Sequence, residues 1–300
     1  MSGFSAEWLA LREPVDHRAR SPALVAELRS VFAGRDTAAI IDLGCGTGSN
    51  LRALAASLPR RQSWRLVDRD PALLSAARER LAAWADASEA GAGLHLRKGG
   101  VEIAVRFVEA DLAQGVAPLL ADGGVDLVAA AALFDLVSAS WIDSFARDIA
   151  AAGAAFYTAL TYDGADGWSP PHPADAAMLA GFHAHQRRDK GFGPAAGPRA
   201  TELLEAALRA EGYDVRSAAS PWRLGRGDAA LMRELAHGTA AAVRETGAVP
   251  EATIRDWLDA RLVATACDIG HLDLLAARPQ APRPGSTARA ISERTADRFT

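Results

Sequence analysis

The chain has 300 residues, 49% of them hydrophobic and 23% charged, with a formal net charge of −4 and a pI of about 6.0. That length accommodates one α/β core with decoration, no apolar run reaches the roughly 20 residues of a membrane span, and scattered arginines in an acidic chain give no footprint for nucleic acid. Residues 1–12 lack the uninterrupted apolar core of a secretory signal, and Cys45 and Cys267, the only cysteines, have neither disulfide-framework nor zinc-ligand spacing, so the expected setting is the reducing cytoplasm, without a metal.

In chain order, helical patterning covers residues 7–11 and 16–32, where Leu24, Val25, Leu28, Val31 and Phe32 recur at helical spacing before Gly34. These predict an N-terminal helical cap over residues 1–36. Residues 38–43 are a first strand, followed by a glycine-rich turn and a helix from Asn50 that Pro59 closes. Residues 64–68 are a second strand, and Pro71 opens a helix whose buried face is Leu73, Leu74, Ala77 and Leu81. Residues 94–98 and 101–108 flank Gly99-Gly100 as a hairpin leading into a third strand that ends at Asp111. Residues 125–131 and 154–161 are the fourth and fifth strands, with a helix over 141–151 between them.

A stretch of about 40 residues rich in Gly, Pro and His then precedes a helix over 200–211, longer than ordinary connections between a strand and a helix. Residues 213–219 are a sixth strand, and 228–245 and 251–267 are helical. A last strand lies near 270–277. The alternation predicts an α/β fold: a doubly wound, mostly parallel seven-stranded sheet with helices on both faces and a cap inserted after the fifth strand. The expected core domain spans 37–278, with an insertion at about 164–198 and a helical insertion at about 227–267. Residues 279–300, with Pro282, Pro284 and Gly285 and little apolar content, read as a flexible tail.

The segment Asp42-Leu43-Gly44-Cys45-Gly46-Thr47-Gly48-Ser49-Asn50 lies between the first strand and the next helix. Its glycines allow a tight turn and a close approach of backbone to ligand. A dinucleotide site with G-x-G-x-x-G would need glycine at Ser49, whereas the third glycine comes one residue early. The segment is similar to motif I of the class I S-adenosylmethionine-dependent methyltransferases. The resemblance implies that Asp42, Gly44, Gly46, Gly48 and Asn50 lie against the amino-acid part of S-adenosylmethionine. It further implies that Asp68 receives the ribose hydroxyls, that Asp111 and Leu112 border the adenine, and that Ala131 borders the methyl-donor cleft. An NAD-dependent oxidoreductase and a non-catalytic donor-binding module are the alternatives.

Methyl transfer to a small molecule is the function so implied, with the acceptor atom and the oligomeric state left open. His185, Tyr162 and Asp135 are the candidates for removing an acceptor proton, each on a segment that follows a central strand. The cluster 183–194 adds Lys190 as a group for an anion. One of Arg12, Arg18 and Arg20 is a candidate for the donor's carboxylate. His172, His183 and His185 form no metal set, because positions two apart on a helix diverge. No Asp/Asn-Pro-Pro-Tyr/Phe segment follows the fourth strand, which argues against a nucleic-acid methyltransferase.

Overall fold

The computed structural model describes residues 4–279; the expected tail, from residue 280 on, lies outside the described residues. Two helices open the chain, α1 (Ala6–Ala19) and α2 (Pro22–Val31). The predicted break after Leu11 does not occur: α1 runs through Pro14 and ends at Arg20. The next helix starts where the Ser21 hydroxyl accepts from the Leu24 amide and Pro22 takes the first turn.

The sheet follows: β1 (Thr37–Leu43), β2 (Arg61–Asp68), β3 (Ala87–Ala90), β4 (Leu94–Lys98), β5 (Val101–Glu109), β6 (Leu127–Ala131), β7 (Ala155–Ser169), β8 (Asp214–Ala219), β9 (Trp222–Leu224) and β10 (Ala266–Ala277). The remaining helices are α3 (Ser49–Leu54), α4 (Pro71–Trp84), α5 (Ala117–Leu120), α6 (Ala139–Ala152), α7 (Asp175–Gln186), α8 (Ala200–Ala210), α9 (Ala229–Thr246) and α10 (Glu251–Leu262).

The strand order is β3-β4-β5-β2-β1-β6-β7-β10-β8, with β9 paired to β10. This corrects the expected count: the sheet has ten strands, not seven. Antiparallel β3, with its weak Ala-Ser-Glu-Ala sequence, extends one edge, and three-residue β9 is too short to announce itself by alternation. The five central strands β5, β2, β1, β6 and β7 are parallel, and β10 is antiparallel between β7 and β8. From β1 the chain moves outward to β2 and β5, then returns to the other side of β1 as β6. The carboxyl ends of β1 and β6 therefore mark the switch point where an open α/β sheet forms its ligand crevice.

Alternating residues feed two cores. Ile40, Leu66 and Leu127 pack on one face with Leu28, Leu54, Leu74 and Leu81. Ile41, Val67 and Val128 pack on the other with Leu120, Phe145, Ile149 and Leu204. Both faces are thus covered, as a parallel sheet requires.

The segment expected as an insertion from about residue 164 begins as strand: β7 continues to Ser169 and pairs with Ala266 of β10. The helix expected to reach residue 267 accordingly stops at Leu262. This long ribbon supports α7, α9 and α10, whose junction is filled by Arg261. Its guanidinium lies 5.7 Å from the rings of both Trp168 and Trp257 and donates to the Pro170 carbonyl at 2.7 Å.

Near its middle, the β7–β10 ladder shifts register between Leu272 and Leu274, and fully buried Asp273 sits there. Its carboxylate accepts from the amides of Leu160 at 2.9 Å and Ser21 at 2.8 Å and from the Tyr157 hydroxyl at 3.2 Å. Leu160 has φ +61, a conformation that a β-carbon disfavours. One carboxylate thus holds the strained strand and the start of α2. Asp273→Ala strands three buried donors and is expected to lower stability by about 3 kcal/mol in urea unfolding, with Asp273→Asn losing less; a loss within 0.5 kcal/mol, roughly a neutral surface change, would contradict this role.

Candidate active site

The turn after β1 is built by three left-handed glycines, Gly44 (φ +63), Gly46 (φ +52) and Gly48 (φ +78). Its amides reach the neighbouring strand: Cys45 N–H donates to the Val67 carbonyl at 2.9 Å and Gly46 N–H to the Asp68 carboxylate at 2.9 Å. The other Asp68 oxygen accepts from the Asp70 amide at 3.1 Å. The Ala110 amide donates to the Asp68 carbonyl at 3.0 Å, so Asp111 follows directly beside the end of β2. Asp111 is exposed and accepts from the Ala113 amide at 3.0 Å. Leu112 is buried, its carbonyl held by the Trp141 indole N–H at 2.8 Å. Ala131 ends β6, and Ala132 after it turns at φ +51. Every expected donor-site residue therefore lies at one end of the sheet, around the switch point.

Beneath the turn, Asp42 is fully buried and accepts from Asn50 Nδ2 at 2.8 Å. Burial pushes its carboxyl up to about 7, against the pull of Asn50 and Arg20 and with a further push from Asp68. Asp42 Oδ2, Asn50 Oδ1, and Nε and Nη1 of buried Arg20 have no hydrogen-bond partner among the described residues. Acceptors and donors thus lie shielded in the same charge neighbourhood.

Helix α1 is seated on this turn. A Cβ on Gly46 would come 2.8 Å from Leu9 Cδ1. Arg52 bonds Glu13 at 2.7 and 2.6 Å and the Thr47 carbonyl at 2.9 Å. His17 Nε2 lies 2.9 Å from Ser49 Oγ, and Arg80 donates to the Ala6 carbonyl at 2.9 Å. Burial holds the His17 imidazole below its ordinary value, with Glu13 opposing.

The other side of α1 meets a second group of residues. Arg12 pairs with Asp16 at 2.9 Å and lies 4.9 Å over the Trp222 ring, whose N–H donates to Asp16 at 3.1 Å. Trp222 lies 5.1 Å from buried His271, which lies 6.3 Å from Tyr162. Burial, followed by the charge of Arg12, lowers His271 to about 3, so its ring is neutral. Asp135, on the turn after β6, has a shielded Oδ1 without a partner among the described residues, and burial raises its carboxyl to about 6. Its charge reaches Tyr162, whose phenol is raised first by burial and then by Asp166, Asp163 and Asp135.

Of the three catalytic candidates, Asp135 lies within range of the Tyr162 phenol electrostatically, and His185 lies elsewhere. His185 contacts Glu245 at 3.1 Å and Lys190 at 3.4 Å, in a network with Arg188 on the side of α7 facing α9. Lys190 is accordingly held in that network. It is His183 whose Nε2 lies 3.0 Å from the Tyr162 hydroxyl. Two positions apart on a helix point about 200° apart, so one histidine of the pair had to face away, and only the phase of α7 decides which. His271 was missed because its neighbour Tyr162 is fixed by strand register, which sequence spacing does not report.

A sheet of this order, with a glycine turn at its switch point and acidic residues closing the next two strands, is an open α/β architecture with its crevice at that point. Residues 40–153 match the family model described as a methyltransferase domain, a stretch that contains the turn, Asp68, Asp111 and Ala131. That segment of the chain is accordingly similar to a methyltransferase domain.

No curated protein matches the chain in sequence. Among solved structures it is similar to the cyclopropane synthase MmaA2 of Mycobacterium tuberculosis, at 13% identity over 91% of this chain and 94% of that one, with a TM-score of 0.47. A cyclopropane-fatty-acyl-phospholipid synthase-like protein of Lactobacillus casei gives 16% identity, 92% and 95% coverage and a TM-score of 0.48. A methyltransferase of Thiobacillus denitrificans in complex with S-adenosyl-L-homocysteine gives 18%, 92%, 100% and 0.42.

Gly46→Ala places a β-carbon against Leu9 and forces a left-handed alanine, at a cost of about 1–2 kcal/mol. Amide hydrogen exchange over Ala6–Ala19 is expected to accelerate; unchanged protection there would show that α1 is not seated by this contact.

Proposed function

We propose that the chain is a class I S-adenosylmethionine-dependent methyltransferase, with S-adenosylmethionine as methyl donor, and that it acts on a small molecule held between the carboxyl ends of β6 and β7 and the cap formed by α1 and α7. On this reading Asp42, Gly44, Gly46, Gly48, Asn50, Asp68, Asp111, Leu112 and Ala131 surround the donor. The single observation that carries it is the set of buried polar atoms without partners beneath the glycine turn. Orphaned acceptors on Asp42 and Asn50 suit an ammonium, and orphaned donors on Arg20 suit a carboxylate, so an amino-acid moiety satisfies both. Asp68, fixed by Gly46 and Asp70, keeps lone pairs for ribose hydroxyls, and Asp111 lies beside it for the adenine amino group.

The bound donor supplies an electrophilic methyl on a sulfonium. The protein's share is to hold the acceptor in line and keep water out. Asp135 and Tyr162 are the residues we place against the acceptor; His185, engaged with Glu245, has no part in the proposal. A net charge of −4 supports a small molecule over nucleic acid as acceptor. The domain assignment that suits this reading keeps residues 1–36 as a cap and 37–278 as the methyltransferase domain.

Calorimetry with S-adenosylhomocysteine tests donor binding directly. The wild type is expected to bind, and Asp68→Ala to lose at least about 100-fold in affinity, the cost of a charge-assisted pair of hydrogen bonds, with a lowered unfolding midpoint as the Gly46 and Asp70 amides lose their acceptor; Asp68→Asn, which keeps one acceptor oxygen, is expected to lose affinity with a smaller drop in midpoint. Binding unaffected by that change would overturn the placement.

The raised Asp42 carboxyl gives a pH dependence. Because its folded value of about 7 exceeds the ordinary one, the folded protein holds the proton more tightly, and this group's contribution to stability is lost as pH rises from about 4 to about 7. A donor ammonium needs the carboxylate, so affinity is expected to fall as pH drops below 7, with a proton released on binding that Asp42→Asn abolishes. Affinity that is constant over that range and free of proton release would contradict the pairing.

A further inference from the structure

The Tyr162 side chain is held on several sides by rings. Phe182 lies 6.1 Å away, His183 5.9 Å and His271 6.3 Å between centroids, and all but His271 come from α7. Of these, only His183 bonds the hydroxyl, at 3.0 Å through Nε2. A glycine makes the approach possible: Gly164 has φ +95, and a Cβ there would lie 3.0 Å from Pro198 and 3.7 Å from the His183 ring. The Gly164 backbone also interacts with the ring of His183, which suits Nδ1–H donating to a carbonyl and leaves Nε2 as the acceptor. His271, by contrast, is buried without a partner for Nδ1 among the described residues and meets Tyr162 only ring to ring.

We infer that Tyr162 and His183 form a proton relay, with His183 the terminal base, and that the acceptor atom is a hydroxyl oxygen. The inference rests on the methyl-transfer reading above and adds the substrate class to it. The acceptor O–H gives its proton to the Tyr162 oxygen as the Tyr162 proton moves to His183 Nε2. The oxygen lone pair forms the new C–O bond while the pair of the broken C–S bond stays on sulfur, so the products are a methyl ether, S-adenosylhomocysteine and an imidazolium. His183 is partly exposed on α7 and returns the proton to solvent.

Charge around the relay suits this direction. Burial and then Arg187 hold His183 below its ordinary value, which keeps it a free base at neutral pH. Burial together with Asp166, Asp163 and Asp135 disfavours a standing phenolate at Tyr162, so the phenol acts by passing a proton on while accepting one. An amine acceptor would arrive with its own lone pair once neutral, and a carbon acceptor would present no O–H for the phenol to accept from. Neither makes use of this bond.

The test incubates the enzyme with donor carrying a 13C methyl and a bacterial small-molecule extract, and reads the labelled product by carbon NMR, where methyl groups on oxygen, nitrogen, carbon and sulfur are distinct. Label on oxygen is expected; label on nitrogen, carbon or sulfur overturns the assignment. Donor binding without any transferred label overturns it too, whereas absence of donor binding in the wild type overturns the underlying reading instead.

His183→Ala and Tyr162→Phe are expected to lower kcat by about 100-fold with the donor KM within about twofold, and His183→Gln to remove the fall in rate at acid pH. Without donor or acceptor, the imidazole NMR titration of His183 should move upward in Tyr162→Phe, because the phenol stabilises the neutral ring. An unmoved titration, or loss of turnover in His185→Ala in place of His183→Ala, rejects the relay.

Discussion

The hydrogen bond from the Gly46 amide to the Asp68 carboxylate joins the turn after β1 to the end of β2, and the rest of the site is arranged around it. With Gly46 at φ +52, the amide points sideways into the neighbouring strand end instead of back along its own. The carboxylate that receives it is then fixed beside the turn. Asp111 follows at the next strand end because the Ala110 amide bonds the Asp68 carbonyl. Parallel pairing of β1, β2 and β5 in register does the remainder, so three separate stretches of sequence meet at one crevice.

Helix α1 joins the two halves of the enzyme. Its Leu9, Glu13 and His17, spaced four apart on one stripe, lie on the glycine turn through Gly46, Arg52 and Ser49. Arg12 and Asp16, on the adjacent stripe, reach Trp222 and through it His271 and Tyr162. Displacement of the helix on one side therefore changes the other. Val15, with Trp8, Leu11 and Ala19 beside it, packs the helix onto the core, and the charged hydrogen bonds fix its position over the turn. Asp273 anchors the far end of the same arrangement by holding Ser21, just after α1, to strained Leu160 of β7.

The parts legible in the sequence are those that depend on local chemistry. Glycines at 44, 46 and 48 can be read as a tight turn because no other residue takes such dihedral angles at low cost. Asp68 and Asp111 are visible because each closes a stretch that reads as a strand. The order of elements along the chain, and with it the α/β class, follows from alternating periods of two and 3.6. What stayed hidden depends on register and helix phase. Whether His183 or His185 faces Tyr162 is set by where α7 starts, and Asp175, at its head, is fixed by Arg261 and Trp257 from far along the chain. The continuation of β7 to Ser169 depends on a partner, β10, about a hundred residues away; residues 163–169 alone, with Gly164 and Gly167, look like a loop. Arg20 was one of three arginines in the sequence, and only burial beside Asp42 separates it from Arg12 and Arg18.

A crystal structure of the protein with S-adenosylhomocysteine tests the central claim most directly. The ribose hydroxyls are expected on the Asp68 carboxylate, the amino and carboxyl groups against Asp42 and Arg20, and the sulfur toward Ala131 and Tyr162. A ligand bound with its ribose away from Asp68, or its amino acid away from the buried atoms beneath Gly44 to Gly48, would contradict it.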